Sequence, residues 1–200
     1  MGWNAGGEKE LFSINELVES FSLEGITTSS GRFDPERCKW FNQQHLQNID
    51  PSILVLRLEQ ELEKRRIPKK EVDLNRVITL IQERLVLLTD IWTETCFFFE
   101  VPEVFDEKAI QKQWKEGTTE ILTTVCKLLA CASETTAHEL NSLVKGWAKK
   151  NNVGLGKVMA PLRLALVGAL RGPDVFEICS VIGISECLNR INNAIKEVSS

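Results

Sequence analysis

Apolar residues recur every three or four positions along most of this 200-residue chain, which is the spacing of one face of an α-helix. Between residues 71 and 99 this spacing predicts helix with a single bend or break. Strand signals are weak, because the apolar run at residues 96–101 is short and no two alternating runs flank a hairpin turn. The chain is therefore predicted to be all-α. The apolar positions of the long helical run are Val72, Val77, Leu80, Ile81, Leu85, Leu88, Ile91 and Trp92.

Capping residues divide this pattern into separate helices. Asp34-Pro35 and Asp50-Pro51 each place an aspartate before a proline, which loses no needed hydrogen bond at the first helical position. Asp106 and Thr136 are expected to begin two later helices in the same way. Gly117 is predicted to end the first of these in a left-handed conformation. The chain is thus predicted to fold as a succession of short helices.

Composition and charge exclude several classes of protein. With 43% hydrophobic and 26% charged residues, the chain is globular, and no apolar run approaches the roughly 18 residues that cross a bilayer. The N-terminus lacks a secretory signal, and the six cysteines form no CxxC pair, so we expect reduced thiols and a cytoplasmic location. With only two histidines, no metal site is expected. A net charge of −4 argues against a protein that coats nucleic acid, although local basic faces remain open.

No motif for catalysis or nucleotide binding is present in the sequence. The chain lacks the phosphate-binding loop, the dinucleotide-binding glycine motif and the HExxH zinc motif. His45 and His138 have no serine or cysteine in a nucleophile context. We therefore predict no catalytic residues. From the residues alone, the chain is a helical binding or interaction module.

Three segments carry a resemblance to a known family. They are FSLEGITTSSGRFDPERCKWFNQQHL at residues 21–46, ERLVLLTDIWTETCFFF at residues 83–99, and GKVMAPLRLALVGALRGPDVFEICSVIG at residues 156–183. In this order they resemble the C-terminal portion of bacterial glutamyl-tRNA synthetases, and GWN at residues 2–4 matches the same family. The resemblance covers essentially the whole chain, and the three ordered segments together are far more specific than any one of them.

The resemblance implies a division of the chain into three parts. Residues 1–66 would form a helical segment that contacts the tRNA stem, together with a linker. Residues 67–132 and 133–200 would form two successive helical subdomains that bind the anticodon loop. The resemblance implies that these helical subdomains hold the anticodon loop with its bases unstacked, so that the base edges can be contacted.

The resemblance also implies a parent enzyme. This would be a class I aminoacyl-tRNA synthetase that attaches glutamate to its tRNA with ATP and Mg²⁺. The family's HIGH-type and KMSKS-type motifs lie upstream of GWN and are absent here, so this chain by itself is expected to need no cofactor and to activate no glutamate. The expected partner is glutamate tRNA, with no DNA or membrane partner, and the expected state is a monomer in the cytoplasm. Whether the parent also charges glutamine tRNA stays open.

Arg84 aligns with the family arginine that recognises the third anticodon base, which is cytosine in glutamate tRNA. The chemistry agrees, because cytosine O2 and N3 accept hydrogen bonds and a guanidinium offers only donors. Guanine, the corresponding base of glutamine tRNA, presents N1–H and N2–H donors instead. If the resemblance is set aside, an exposed helical arginine paired with Glu83 or Asp90 is the favoured interpretation.

The segment APLRLALVGALRGPDVFE at residues 160–177 places two arginines among residues suited to packing. Arg163 aligns with a family arginine that faces the anticodon loop. Gly172 and Pro173 align with residues that approach an anticodon base, and glycine permits a close approach. Related enzymes can have threonine at the position of Gly172. Pro173 is also predicted to begin a helix, whereas Arg171 has no motif support and is interpreted as a solvated charge.

Arg37 and Trp40 align with positions that contact the tRNA stem. Arg37 would contact phosphates, which positions the RNA without reporting its sequence. Trp40 is equally compatible with a place in the core. The alternative function, a stand-alone helical protein-interaction module without RNA binding, also stays open. Three further tryptophans are expected to pack against the core, namely Trp92, Trp114 and Trp147.

Overall fold

The structure is a computed structural model that describes residue 3 and residues 5–26, 33–68 and 71–198. Gly2 and Asn4, which belong to the resemblance at residues 2–4, lie outside this part. Within it the chain is helical, with one isolated strand-type bridge between Trp3 and Ile26. This confirms the all-α prediction. The helices are α1 (Ile14–Ser20), α2 (Pro35–Asn48), α3 (Pro51–Arg65), α4 (Leu74–Ile81), α5 (Ile91–Phe99), α6 (Glu107–Gln113), α7 (Thr118–Ala130), α8 (Ala137–Lys150), α9 (Gly156–Val167), α10 (Val175–Ile182) and α11 (Ile184–Val198).

The predicted capping residues begin the helices that they were assigned to. Asp34 and Asp50 accept backbone N–H groups at the first turns of α2 and α3, and Asp106 and Thr136 do the same for α6 and α8. The prediction for Gly117 is wrong in its position. Its φ of +82° is left-handed as expected, but α6 already ends at Gln113 and the glycine directly precedes α7. The described part of the chain contains no candidate for a membrane-spanning helix.

The long helical run breaks more extensively than its apolar spacing predicts. Between α4 and α5 lie two 3₁₀ turns, Gln82–Arg84 and Leu88–Asp90, joined by a short extended stretch. The apolar spacing persists across the break because Leu85 is still fully buried there. Arg84 consequently lies at the end of a turn and not on a helix, which corrects the helical placement expected from the sequence.

The start of α10 also differs from the prediction. This helix begins at Val175, and the side chain of Asp174 caps it by accepting the N–H groups of Phe176 and Glu177. Pro173 therefore precedes the helix and does not begin it. The proline belongs to the turn between α9 and α10, where its carbonyl oxygen is available to a side-chain donor.

The helices pack around one continuous hydrophobic core that runs from α2 to α11. Helix α3 packs on α4 and α5, whereas α7 packs on α9 and α11, and α10 contacts helices of both groups. The division of the chain at residues 66 and 132 stays a prediction. The observed packing crosses both of these positions, since α3 lies with α4 and α7 lies with α9.

Arg190 of α11 is fully buried and joins three helices. Its Nη1 donates to the carbonyl oxygens of Phe97 at 2.5 Å and Leu166 at 3.0 Å, which lie in the last turns of α5 and α9. The last four carbonyls of a helix have no partner within the helix, so this arginine satisfies two that would otherwise be unpaired. Its Nε donates a hydrogen bond to the carboxylate of Glu186 at 2.9 Å. Its Nη2 lies 2.8 Å from the same carboxylate and forms an ion pair with it, but makes no hydrogen bond.

Candidate nucleic-acid interface

The turn that carries Arg84 is held by side-chain amides from α2. The amide nitrogens of Gln43 and Gln47 donate to the carbonyl oxygen of Glu83 at 3.2 and 3.0 Å, and Asn42 donates to the carbonyl oxygen of Val86. Backbone carbonyls outside regular helix need such partners where water is excluded. The backbone on both sides of Arg84 is thereby fixed to a helix that lies about forty positions earlier in the sequence.

Gln82 makes the reciprocal connection. Its Nε2 donates to the carbonyl oxygens of Leu46 at 3.0 Å, Gln47 at 3.3 Å and Ile49 at 2.9 Å. These carbonyls lie at the C-terminal end of α2, where no intrahelical donors remain. Helix α2 and the Arg84 turn therefore satisfy each other's backbone groups and form one unit.

The side chain of Arg84 extends from this unit toward solvent. It is 43% exposed, and its Nε lies 3.5 Å from Oε2 of Glu94 on α5, whose side chain is 20% exposed. This partner differs from Glu83 and Asp90, the two proposed from the sequence. Asp90 instead accepts the N–H of Leu87 at 3.0 Å and so helps to close the second 3₁₀ turn.

Arg163 of α9 is half-buried and holds the turn between α9 and α10. Its Nη1 donates to the carbonyl oxygens of Arg171 at 3.0 Å, Gly172 at 3.1 Å and Pro173 at 2.5 Å. Because one nitrogen binds the carbonyl oxygens of three consecutive residues, the path of the backbone through this turn is fixed. The arginine thus presents Gly172 and Pro173 in a defined orientation.

The two predicted arginines act on each other electrostatically. Burial lowers the pKa of the Arg163 guanidinium, the carboxylate of Asp174 raises it, and the positive charge of Arg84 lowers it. The contacts of α5 agree, because Glu94 meets Arg84 at 3.5 Å whereas Phe97, one helical turn later, adjoins Gly172. The structure therefore brings Arg84 and Arg163 together with the turn of Gly172 and Pro173, although Arg84 precedes the other three residues by 79 to 89 positions in the sequence.

Contacts within the protein explain why residue 172 is a glycine. Its φ is +97°, in the region that favours glycine, and a Cβ there would lie 3.2 Å from the Phe97 ring and 3.6 Å from Ile178. A close approach by an RNA base is not needed to account for it. Its neighbour Arg171 is half-buried, with Nη2 4.0 Å from Sγ of Cys96, so the expectation of a solvated charge is wrong.

Arg37 and Trp40 lie in the first half of α2, and along the helix axis they are about 15 Å and about 10 Å from Gln47. Arg37 pairs with Glu10 and lies 5.7 Å from the centre of the Phe41 ring. Trp40 is 42% exposed and meets Phe41 edge to face at 5.0 Å, which excludes a place in the core. A cavity of about 510 Å³ lies beside Arg37, and it is lined by no residue of the Arg84 turn.

Comparison with known proteins identifies the kind of module that carries this surface. The sequence profile described as an anticodon binding domain matches residues 44–195. The chain belongs to the anticodon-binding domain family. This range includes α3 to α10 and both arginines of the Arg84 and Arg163 pair. Helix α2, with Arg37 and Trp40, precedes most of the match.

The relatives of this anticodon-binding domain are longer proteins. It is 42% identical over 195 residues to a glutamate–tRNA ligase from Christiangramia forsetii and 40% identical to one from Flavobacterium johnsoniae, covering 98% of this chain and 39% of each relative. A crystal structure of a glutamate tRNA ligase from Elizabethkingia meningosepticum in complex with its amino acid superposes with a TM-score of 0.89 at 34% identity, covering 98% of this chain and 39% of that one. The chain thus spans about two fifths of the length of these relatives.

The guanidinium groups of Arg84 and Arg163 belong to this surface of the anticodon-binding domain, with the carboxylates of Glu94 and Asp174 beside them. Guanidinium groups can donate hydrogen bonds to base edges and attract phosphates. Among the described residues, no group of His, Cys, Asp and Glu side chains could hold a metal ion.

Three residues that shape this domain escaped the sequence analysis, namely Gln82, Glu94 and Arg190. Each occupies a position that helical spacing treats as polar and exposed, and nothing else in the sequence marks out Glu94 or Arg190. Only Gln82 had a usable signal. A glutamine at the end of an apolar run is a donor that can serve nearby helix-terminal carbonyls.

Proposed function

We propose that this domain holds the anticodon loop of glutamate tRNA as part of a longer glutamate–tRNA ligase, a class I aminoacyl-tRNA synthetase. The observation that carries the proposal is the convergence of Arg84 with the Arg163-held turn of Gly172 and Pro173 on one surface. That surface belongs to a family defined by anticodon binding, and the relatives are named glutamate–tRNA ligases. These findings do not favour the alternative of a protein-interaction module without RNA binding.

Arg84 would recognise the third anticodon base. Its guanidinium donates to O2 and N3 of cytosine, and both acceptors lie on the edge that an unstacked base exposes. With guanine at that position, donors would face donors. An unmet pair of buried polar groups costs on the order of 1–3 kcal/mol, which corresponds to roughly a five- to 150-fold preference for cytosine. This preference is the property to measure.

Arg163 would act on the loop through the turn that it holds. Its Nη1 is committed to three carbonyl oxygens, so its contribution is to fix the backbone that approaches the anticodon. Pro173 adds an apolar ring to that turn, and Gly172 adopts the left-handed backbone conformation, with φ of +97°, that carries the chain through it. Arg163 is thus a positioning residue for Gly172 and Pro173.

The first half of α2 would contact the tRNA stem. Arg37 would exchange its ion pair with Glu10 for phosphate oxygens, which is feasible because exposed pairs are worth only about 0–1 kcal/mol. Trp40 is exposed on the same helix and offers an apolar face to the sugar-phosphate backbone. Since α2 and the Arg84 turn form one unit, a stem contact at Arg37 would fix the distance to the anticodon.

The remaining parts of the proposal concern the longer protein. ATP and Mg²⁺ would be bound upstream of this domain, and the enzyme would act as a monomer in the cytoplasm. The isolated 200-residue chain should therefore show no glutamate-dependent ATP–pyrophosphate exchange. Measurable exchange by the pure chain would contradict this assignment of the chemistry.

The decisive experiment measures binding of the chain to two anticodon stem-loops that differ only in the third anticodon base, cytosine or guanine. Arg84→Gln should narrow the preference for cytosine, because glutamine carries both a donor and an acceptor and can serve either edge. Arg76→Gln is the matched control, since Arg76 is 42% exposed and ion-paired to Glu177 at 3.0 Å, much as Arg84 is paired. If Arg84→Gln lowers both affinities equally, Arg84 does not recognise the base. If the chain binds neither stem-loop, the proposed function fails for this domain.

A further inference from the structure

We propose that Glu94 is a second specificity-determining residue at the third anticodon base. It directs Arg84 toward cytosine, and its carboxylate becomes a partner for guanine when the arginine is replaced. The inference rests on the proposed function of Arg84. It concerns a residue of opposite charge that the resemblance to synthetases did not include.

The position of Glu94 supports the first half of this role. It lies on α5 with only 20% of its side chain exposed, beneath the more exposed guanidinium of Arg84. Among the described residues, the polar partner of its carboxylate is Nε of Arg84, at 3.5 Å. Glu94 therefore has no competing partner in this part of the chain, and its charge acts on Arg84.

The particular nitrogen that Glu94 engages matters for base recognition. A guanidinium has five N–H donors, and Nε points away from the fork that Nη1 and Nη2 form. Pairing Nε with Glu94 leaves the outer nitrogens free for the two neighbouring acceptors of cytosine, O2 and N3. The pair also restricts a long side chain that would otherwise lose rotamer freedom on binding RNA. Glu94 thus prepares Arg84 for a two-bond contact.

The charges around the site support the same conclusion. Burial is the main cause of the lowered pKa of the Arg163 guanidinium, with a smaller contribution from the like charge of Arg84, and the carboxylate of Asp174 opposes both. Glu94 is the corresponding carboxylate for Arg84. Each arginine therefore has its own acidic partner, and removal of Glu94 would leave Arg84 without an opposing charge beside a second cation.

The second half of the role follows from the chemistry of the carboxylate. An ionised carboxylate only accepts hydrogen bonds, and guanine offers N1–H and N2–H side by side on its exposed edge. When Arg84 is replaced by glutamine, Glu94 loses the charge that covers it. Its two oxygens then match the two guanine donors. The effect of Glu94 on base preference should therefore change sign with the residue at position 84.

A double-variant comparison on the 200-residue chain tests this sign change. Binding of the cytosine and guanine stem-loops is measured for the wild type, Glu94→Met, Arg84→Gln and the double variant. In the wild-type background, Glu94→Met should weaken binding of the cytosine stem-loop by about threefold, as expected for a partly exposed ion pair, and narrow the preference for cytosine. In the Arg84→Gln background, it should instead weaken the guanine stem-loop by about tenfold, because a charge-assisted contact is lost.

The controls separate the possible failures. Melting temperatures identify any variant that is misfolded, and Glu94→Gln, which keeps the side-chain shape, replaces Glu94→Met if the latter does not fold. A purely structural role would lower both affinities in both backgrounds, and that result overturns the proposal, as does an unchanged preference. If Arg84→Gln itself leaves the cytosine preference intact, the assignment of Arg84 fails and the role of Glu94 falls with it.

Discussion

The contacts of the buried Arg190 predict how much stability is lost when its guanidinium is removed. Arg190→Met keeps a side chain of similar length and apolar stem but removes the guanidinium. The change eliminates the bonds to the carbonyl oxygens of Phe97 and Leu166 and leaves Glu186 without this cation. Because Arg190 is fully buried, water cannot readily replace the lost donors. We therefore expect a clear loss of stability.

The magnitude follows from opposing contributions. Each charge-assisted hydrogen bond contributes about 1.5–3 kcal/mol, so the two carbonyl bonds together represent roughly 3–6 kcal/mol. Methionine avoids the desolvation of a buried charge, which offsets part of this loss. Breaking a buried ion pair by removal of one partner typically costs about 3–5 kcal/mol. Glu186 keeps 25% of its side chain exposed and stays partly hydrated, which places the expected loss near the lower end, at about 3 kcal/mol.

The assay is urea unfolding followed by circular dichroism, with the free energy of unfolding obtained by linear extrapolation. If the free energy of unfolding falls with urea at the same slope in the variant and the wild type, both expose the same surface on unfolding. The difference between their midpoints then reports the difference in stability. Arg76→Met is the matched control, since Arg76 is 42% exposed and its removal should cost less than about 1 kcal/mol. A loss below about 1 kcal/mol for Arg190→Met would refute the argument that this arginine holds the ends of two helices together.

Three further predictions address other contacts. Arg37→Ala should weaken both stem-loops equally and lower the salt dependence of binding, because phosphate contacts carry no base information; a changed base preference would contradict this. Gly172→Ala should lower the free energy of unfolding by about 1–3 kcal/mol, since φ is +97° and the added Cβ would lie 3.2 Å from Phe97. Gly154→Ala is the control, because its added Cβ meets nothing within 4 Å. Equal urea midpoints for the two variants would refute the argument that Gly172→Ala strains the backbone. Gln82→Met should narrow the preference for cytosine, because the Arg84 turn loses the three bonds from Gln82 to the end of α2; an unchanged preference would argue against that coupling.

The beginnings of the helices were the most predictable part of the fold. A capping residue such as Asp34 or Asp50 accepts hydrogen bonds from N–H groups two or three positions later. The interaction can therefore be predicted from residues that are close together in the sequence. The break between α4 and α5 was predictable only as a single interruption. Leu85 keeps the apolar spacing across it, and the amides that stabilise the turn come from Gln43 and Gln47, which no local pattern connects to this turn.

The candidate site divides in the same way. Arg84, Arg163, Gly172 and Pro173 were predicted from the resemblance of ordered segments, and their roles in RNA binding stay predictions. Their proximity depends on tertiary packing and became visible only in the structure. Arg190 shows the limit of sequence reasoning most clearly, because an arginine on an amphipathic helix is ordinarily solvated whereas this one is fully buried.

The reciprocal amide contacts between α2 and the Arg84 turn have a consequence for protein engineering. A graft of residues 82–86 into a related scaffold would transfer the arginine but not the side chains that orient its backbone. Asn42, Gln43 and Gln47 would have to be transplanted with it, together with acceptor carbonyls for Gln82 at the end of the recipient helix. Base preference in this domain is therefore a property of two distant segments that must be exchanged together.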